Sequence, residues 1–248
     1  MSPAPTNSTS DDHLPLAVAV YCGAHAGTEP AFQNAAISLG RALAVQGRSL
    51  VYGGGSKGIM GIVSGAALKY GGAVIGVIPS AMLRAGGEGG GKAYIELSEK
   101  GREMVRHSTP HPTQKVLSIV VDSMHERKVE MARRVCGFIG LPGGFGTFEE
   151  IMEAITWTQL GIHIKPVIII NVQGFFDPLR ALIKNAVASG FIKQSNERLI
   201  IFIDGPPGAD HATFDWGTSA LAALDDWSSP GPGLFTWTSG DRDGIAML

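Results

Sequence analysis

Cysteine is nearly absent from this sequence. Cys22 and Cys136 are the whole complement, and both sit in apolar, strand-like runs. That suits buried thiols in a reducing compartment and leaves neither a disulfide framework nor a cysteine-rich metal site, so no metal is expected. An excess of one charge is also missing. With 20 Lys and Arg against 22 Asp and Glu, no overall field favours a polyanion or an anionic lipid surface, and neither nucleic acid nor a membrane is expected as a partner. No apolar run is long enough to span a bilayer, and residues 1–13 are polar, without the apolar centre of a secretion signal. A soluble, cytoplasmic protein is the expectation. Finally, no G-x-x-x-x-G-K-[ST] occurs, which removes the anchor of a P-loop kinase or ATPase.

What the sequence does have is apolar residues in short, regularly spaced blocks. Hydrophobic residues make up 44% of 248, enough to fill a sizeable core. The blocks are "LAVAVY" (16–21), "SLVYGGG" (49–55), "AVIGVIP" (73–79), "LSIVVD" (117–122), "CGFIGLPGG" (136–144), "PVIIIN" (166–171) and "LIIFID" (199–204). They are β-branched and nearly continuous, as strands covered on both faces require. Helical patterns fall between them at 30–46, 59–70, 123–135, 148–160 and 175–189, with one more possible at 214–227. Strand and helix taking turns predicts an α/β fold: a Rossmann-like, doubly wound parallel sheet with helices on both faces. The expected organisation is a disordered segment over 1–13, one catalytic, nucleotide-binding domain over 14–227 and a tail over 228–248. That tail is rich in Gly, Pro and Ser and reads as a poorly ordered extension or a strap on a partner subunit. "GGEGGGK" (86–92) reads as a surface loop, and the pattern from there to residue 112 does not resolve into elements.

Two of the turns from strand to helix are glycine-rich: "YGGGSKGIMG" after the second strand and "PGGFGT" after the fifth. Ligands of open α/β sheets sit beyond these carboxyl ends. Glycines let amides approach an anion, and a helix N-terminus adds partial positive charge, so the pair of loops suggests a phosphate cradle. For a single loop, tight turns and close packing would explain the glycines equally well. Gly53, Gly55 and Gly58 spell G-x-G-x-x-G, but the strand that follows ends without the acid that would hold a dinucleotide's ribose, which disfavours a nicotinamide cofactor.

Thr147 and Glu150 match [ST]-x-x-[DE], so Glu150 has an ordinary explanation as half of a capping box. Its location argues for another task, because a carboxylate beside a phosphate-binding loop faces an anion. That task would be chemistry on the sugar. On the preceding helix, spacing puts Arg127 at the border of the apolar stripe carrying Met124, Met131 and Val135, while Arg133 lies toward solvent. Arg127 therefore needs an anionic partner, with an ion pair to Glu130 or simple snorkelling as the plain alternative.

"SMHERK" (123–128) followed by "LPGGFGTFEE" (141–150) resembles the paired M-H-x-R-K and P-G-G-x-G-T-x-x-E signatures of the Lonely Guy family, the cytokinin riboside 5'-monophosphate phosphoribohydrolases. "AVYCG", "LVYGGGSKGIMG" and "EAITW" (153–157) extend the resemblance to about residue 171. It implies cleavage of the N-glycosidic bond of a nucleoside 5'-monophosphate, of the AMP or N6-isopentenyl-AMP type, to free base and ribose 5-phosphate. It further implies a homodimer and no cofactor. Arg127 and Glu150 would be catalytic, with Gly54, Gly55, Met124, Lys128, Gly143, Gly144, Gly146, Thr147 and Thr156 binding substrate. A non-catalytic nucleotide or molybdenum cofactor carrier of the same fold is the alternative. Where the family commonly has a serine pair after the first strand, this chain has Ala24 and His25.

Overall fold

The computed structural model describes residues 16–84, 93–97, 103–107, 115–206, 210–229, 231 and 233–235. Its sheet contains β1 (Val18–Tyr21), β2 (Leu50–Tyr52), β3 (Ala73–Pro79), β4 (Ala93–Leu97), β5 (Glu103–His107), β6 (Lys115–Val121), β7 (Gly137–Gly140), β8 (Val167–Asn171) and β9 (Ile200–Asp204). They lie in the order β4-β5-β6-β3-β2-β1-β7-β8-β9. The seven strands from β6 to β9 in that order are parallel, and they are the seven expected from the apolar blocks. β4 and β5 form an antiparallel pair at one edge; the sequence pattern did not reveal them. The expected surface loop at 86–92 and the segment 1–13 lie outside the described residues, as does most of the tail.

The helices are α1 (Pro30–Val45), α2 (Gly58–Lys69), the short α3 (Ser80–Arg84), α4 (Met124–Arg134), α5 (Phe145–Leu160), α6 (Asp177–Ala188) and α7 (Trp216–Asp226). Side chains alternate across a strand, so β1 feeds two cores. Val18 and Val20 pack with Leu39, Leu43, Leu50, Trp216 and Leu221 under α1, α2 and α7. Ala19 and Tyr21 pack with Val51, Met131, Phe138, Ile151 and Trp157 under α4 and α5. A strand buried on both faces has no room for the polar half of an alternating pattern, which is why its sequence is a continuous apolar run.

Chain order reverses at β1. From there the chain builds outward through β2, β3 and β6, then returns to lay β7, β8 and β9 on the other side. Loops leaving β1 and β7 therefore diverge to opposite faces and open a crevice between them, the place where such sheets bind ligands. The amide of Gly23 donates to Pro142 O at 3.1 Å, and that of Met60 donates to Gly23 O at 3.3 Å, tying the turns after β1 and β7 and the first turn of α2 into one rim. The described tail residues lie on their own chain: the amides of Leu234 and Phe235 donate to the carbonyls of Gln159 and Leu160 at the end of α5.

Candidate active site

A cavity of about 1280 Å³ opens at this crevice. Residues 22–27 after β1, Gly53, Ser56 and Lys57 after β2, and the Pro142–Gly144 turn after β7 form its sides. The turn feeds α5, whose N-cap is Gly144 and whose first residues are Phe145, Gly146 and Thr147. A carbon added to Gly143 would stand 2.1 Å from Thr147 Oγ1 and 2.8 Å from the Gly23 nitrogen, so glycine is what lets this turn close against both. Gly144 at the N-cap has no side chain with which to cap the helix start, which leaves the first-turn amides for a ligand.

The capping-box explanation of Glu150 does not hold. α5 begins at Phe145 rather than 148, so Thr147 is its third residue and Glu150 its sixth, one turn too deep to cap. A reciprocal cap of a related kind is found instead at α4, where Ser123 Oγ accepts from the Glu126 amide and Glu126 Oε2 reaches back to accept from the amide of Asp122, the residue before the N-cap, both at 3.0 Å. Freed from that duty, Glu150 sits on the buried face of α5 with Thr147, Ile151 and Ala154. It also borders the cavity.

Its partner comes from α4. Arg127 Nη2 lies 3.1 Å from Glu150 Oε1, with side-chain exposures of 11% and 8%. The contact is an ion pair without hydrogen-bond alignment: among the described residues neither Glu150 Oε1 nor Arg127 Nε has a hydrogen-bond partner. The pairing that forms is with Glu150 rather than Glu130, which binds Arg134. Burial pushes the Glu150 carboxyl up to about 7, and the positive charge of Arg127 holds it from rising further. A buried acid poised near neutrality with an unsatisfied oxygen, facing a cavity, is an arrangement for chemistry.

Lys128 points elsewhere. Its ammonium binds Glu149 and Glu153 on α5, the latter at 3.0 Å. Burial disfavours that charge, but the two carboxylates outweigh it and hold the lysine above its ordinary range. The effect on the site is indirect: one positive charge partly offsets the two acids flanking Glu150.

Of the residues predicted for the site, the fold brings Met124, Arg127, Gly143, Gly144, Gly146, Thr147 and Glu150 to one cavity. It does not bring Gly54, Gly55, Lys128 or Thr156 to the wall. Gly54 turns the chain with φ of +83°, and Gly55 is buried behind it. Thr156 is exposed, its hydroxyl donating to Met152 O. Missed were His25, Lys57 and Gly53 among the polar and small lining residues, and an apolar wall of Met60, Ile78, Met82 and Leu83. Gly53 and Lys57 belong to the glycine-rich loop after the second strand, which reads as part of a phosphate cradle, and His25 follows β1, where the rule that ligands gather at the carboxyl ends of strands applies as well; the last four read as core in the sequence.

Residues 60–211 match the family model described as "Possible lysine decarboxylase". Among curated proteins, the chain is 46% identical over 184 residues to cytokinin riboside 5'-monophosphate phosphoribohydrolase LOG of Oryza sativa subsp. japonica, covering 74% of this chain and 66% of the rice protein. It is 40% identical to LOG2 of Arabidopsis thaliana, which carries the same description, over 77% of this chain and 78% of that one. Among solved structures, the molybdenum cofactor carrier protein MCP from Chlamydomonas reinhardtii superposes with a TM-score of 0.52 at 20% identity, over 85% of this chain and 98% of the carrier. That likeness is one of fold alone. The signatures, their meeting at one cavity and the extent of shared sequence give one conclusion: the chain belongs to the Lonely Guy family of cytokinin riboside 5'-monophosphate phosphoribohydrolases.

Proposed function

We propose that this protein hydrolyses the N-glycosidic bond of a nucleoside 5'-monophosphate to free base and ribose 5-phosphate. The observation that carries the reading is the buried Arg127–Glu150 pair, with its unsatisfied carboxylate oxygen, beside the uncapped start of α5. Breaking the bond builds positive charge on the ribose ring, so an ionised Glu150 stabilises the transition state more than the ground state. Water adds to the anomeric carbon as the base departs with its bonding electrons and takes up a proton. Arg127 supplies a positive charge that orients Glu150 and stabilises the departing base or the phosphate. Amides of residues 143–147 and the α5 dipole hold the phosphate, and that remote binding energy selects the monophosphate over the free riboside.

The wall of Met60, Ile78, Met82, Leu83 and Met124 suits a base with an apolar substituent. An N6-isopentenyl adenine fits that chemistry, as do the names of the relatives. Decarboxylation through a Schiff base does not suit these residues: such a lysine must lose its proton readily, whereas Lys128 is held charged and Lys57 is exposed at the cavity mouth. The carrier alternative gives Glu150 no task.

The protein is further proposed to act as a cytoplasmic homodimer. Phe145, 93% exposed, with Phe148 and Met152 on the same helix, supports a covered face, and the two free thiols support a reducing compartment. Sedimentation of the full chain tests the first point. The deciding experiment for function is incubation with N6-isopentenyl-AMP, AMP and adenosine, with free base followed by chromatography. Base release from the monophosphates, lost in Glu150→Gln and Arg127→Ala, is the expected result. Tight retention of nucleotide without turnover would favour a carrier, and full activity in either variant would remove the assigned roles.

A further inference from the structure

Arg127 is held in place by remarkably few bonds for a buried guanidinium. Nε has no hydrogen-bond partner among the described residues. Nη1 touches the Met124 sulfur at 3.9 Å, a weak contact, and Nη2 makes the unaligned approach to Glu150. What fixes the group is the shape of the space around it, and Gly53 forms one wall of that space. A carbon added to Gly53 would stand 2.2 Å from Nη2 and 3.2 Å from Cζ of Arg127, where a carbon needs about 3.5 Å from its neighbours.

The backbone at Gly53 does not itself require glycine. It is not among the residues of positive φ, unlike Gly54, so alanine would adopt its conformation without strain. The next nearest atom, Met60 Sδ at 3.4 Å, would be in ordinary contact. Only the guanidinium demands a bare α-carbon here, and the crowded atom is the same Nη2 that faces Glu150.

We propose that Gly53 is a positioning residue for the reaction: its missing side chain is the berth that seats the Arg127 guanidinium against Glu150. The inference rests on the reading of Glu150 as the reacting carboxylate. A methyl group at position 53 would push Nη2 outward by about 1 Å, the scale at which misplacement costs on the order of 100-fold in rate. It would also weaken the hold of the Arg127 charge on Glu150. The other groups that face this carboxyl are Glu149 and Glu153 on α5, Lys128 on α4, and Tyr21 and Cys22 at the end of β1. Lys128 is already engaged by the two flanking acids, so nothing replaces Arg127, and the carboxyl moves upward.

Gly53→Ala in the full chain tests this. Release of base from N6-isopentenyl-AMP is expected to fall on the order of 100-fold at neutral pH, with the acid limb of the pH profile displaced upward by about one unit. Carbon-13 NMR of the Glu150 carboxyl in the ligand-free protein is expected to give the same displacement, and this readout needs no turnover. If the unsubstituted protein releases no base, the functional reading fails while the NMR titration still judges Gly53. A carboxyl that titrates alike with Gly53 or alanine present overturns the proposal. If Gly53→Ala does not fold, Gly53→Ala combined with Arg127→Ala decides. With the crowded side chain removed, the double variant is expected to melt with Arg127→Ala alone; equal damage in both backgrounds would mean the glycine serves the turn and not the arginine.

Discussion

Two arginine–carboxylate pairs are set into opposite ends of this sheet, and they are built differently. At the amino-terminal end of β2, Arg48 Nη2 donates to both oxygens of Asp225 at 2.7 Å, and Asp225 keeps about half its side chain in water, at 49% exposure. It fastens the end of α7 to the bottom of the sheet. At the carboxyl ends, Arg127 and Glu150 are both nearly buried, stand 3.1 Å apart and form no aligned hydrogen bond. The first arrangement satisfies its acid and leaves it solvated; the second strips its acid of water without completing its bonds. A scaffold pair gains from satisfying its acid, even though Arg48 Nη1 lacks a partner among the described residues, whereas a reacting pair keeps an acid oxygen free for what develops in the transition state.

Glu150→Gln should separate the two most sharply. Loss of the charge that stabilises the ribose cation is expected to lower kcat/KM by 100-fold or more, measured by base release from N6-isopentenyl-AMP at pH 8. A loss smaller than tenfold would mean the upper pair is as structural as the lower one. The second effect in size is that of pH on the unaltered protein. With the carboxyl near 7 and the ionised form active, kcat/KM should climb about tenfold per pH unit below that point and level off above it. A profile flat from pH 5.5 to 8 would contradict the burial that raises this acid.

The scaffold was more legible in the sequence than the site. Blocks such as "PVIIIN" and "LIIFID" announce two-sided burial because no polar position interrupts them, and the parallel sheet follows. β4 and β5 were missed because their surroundings are glycine-rich and lack a period. The start of α5 was placed three residues late, since Gly144 and Gly146 are poor helix formers and read as loop; the fold instead uses them where amides must stay bare. Arg127 and Glu150 were each picked out, but their pairing needs β7 to lie beside β1 so that α4 and α5 meet, and no local pattern encodes that. Met60, Ile78 and Met82 are indistinguishable from core until the cavity exists.

The upper pair should also leave a signature in stability. An acid raised by folding binds its proton more tightly in the folded than in the unfolded chain, so its contribution is intact below about pH 4.5 and is lost as pH climbs to about 7. The loss is at most about 3 kcal/mol. Glu150→Gln cannot ionise, so its stability relative to the parent, measured by urea unfolding, should increase between pH 5 and pH 8. A constant difference across that range would show that the carboxyl titrates normally.

The smallest effect belongs to the lower pair. Asp225→Asn removes a half-exposed charge and leaves Arg48, only 9% exposed, to find its bonds from an amide oxygen and water. Surface pairs contribute little, and breaking a fully buried one costs several kcal/mol; this pair lies between, at about 1–2 kcal/mol. Because Asp225 stands at the far end of the strands from the cavity, kcat/KM should stay within about twofold, as expected for sites without shared partners. Urea unfolding and the base-release assay on the same preparation give both quantities. If activity fell in step with stability, the two ends of the sheet would be coupled, and the contrast between a pair with a satisfied acid that holds the fold and one with an unsatisfied acid that works in the cavity would no longer describe this protein.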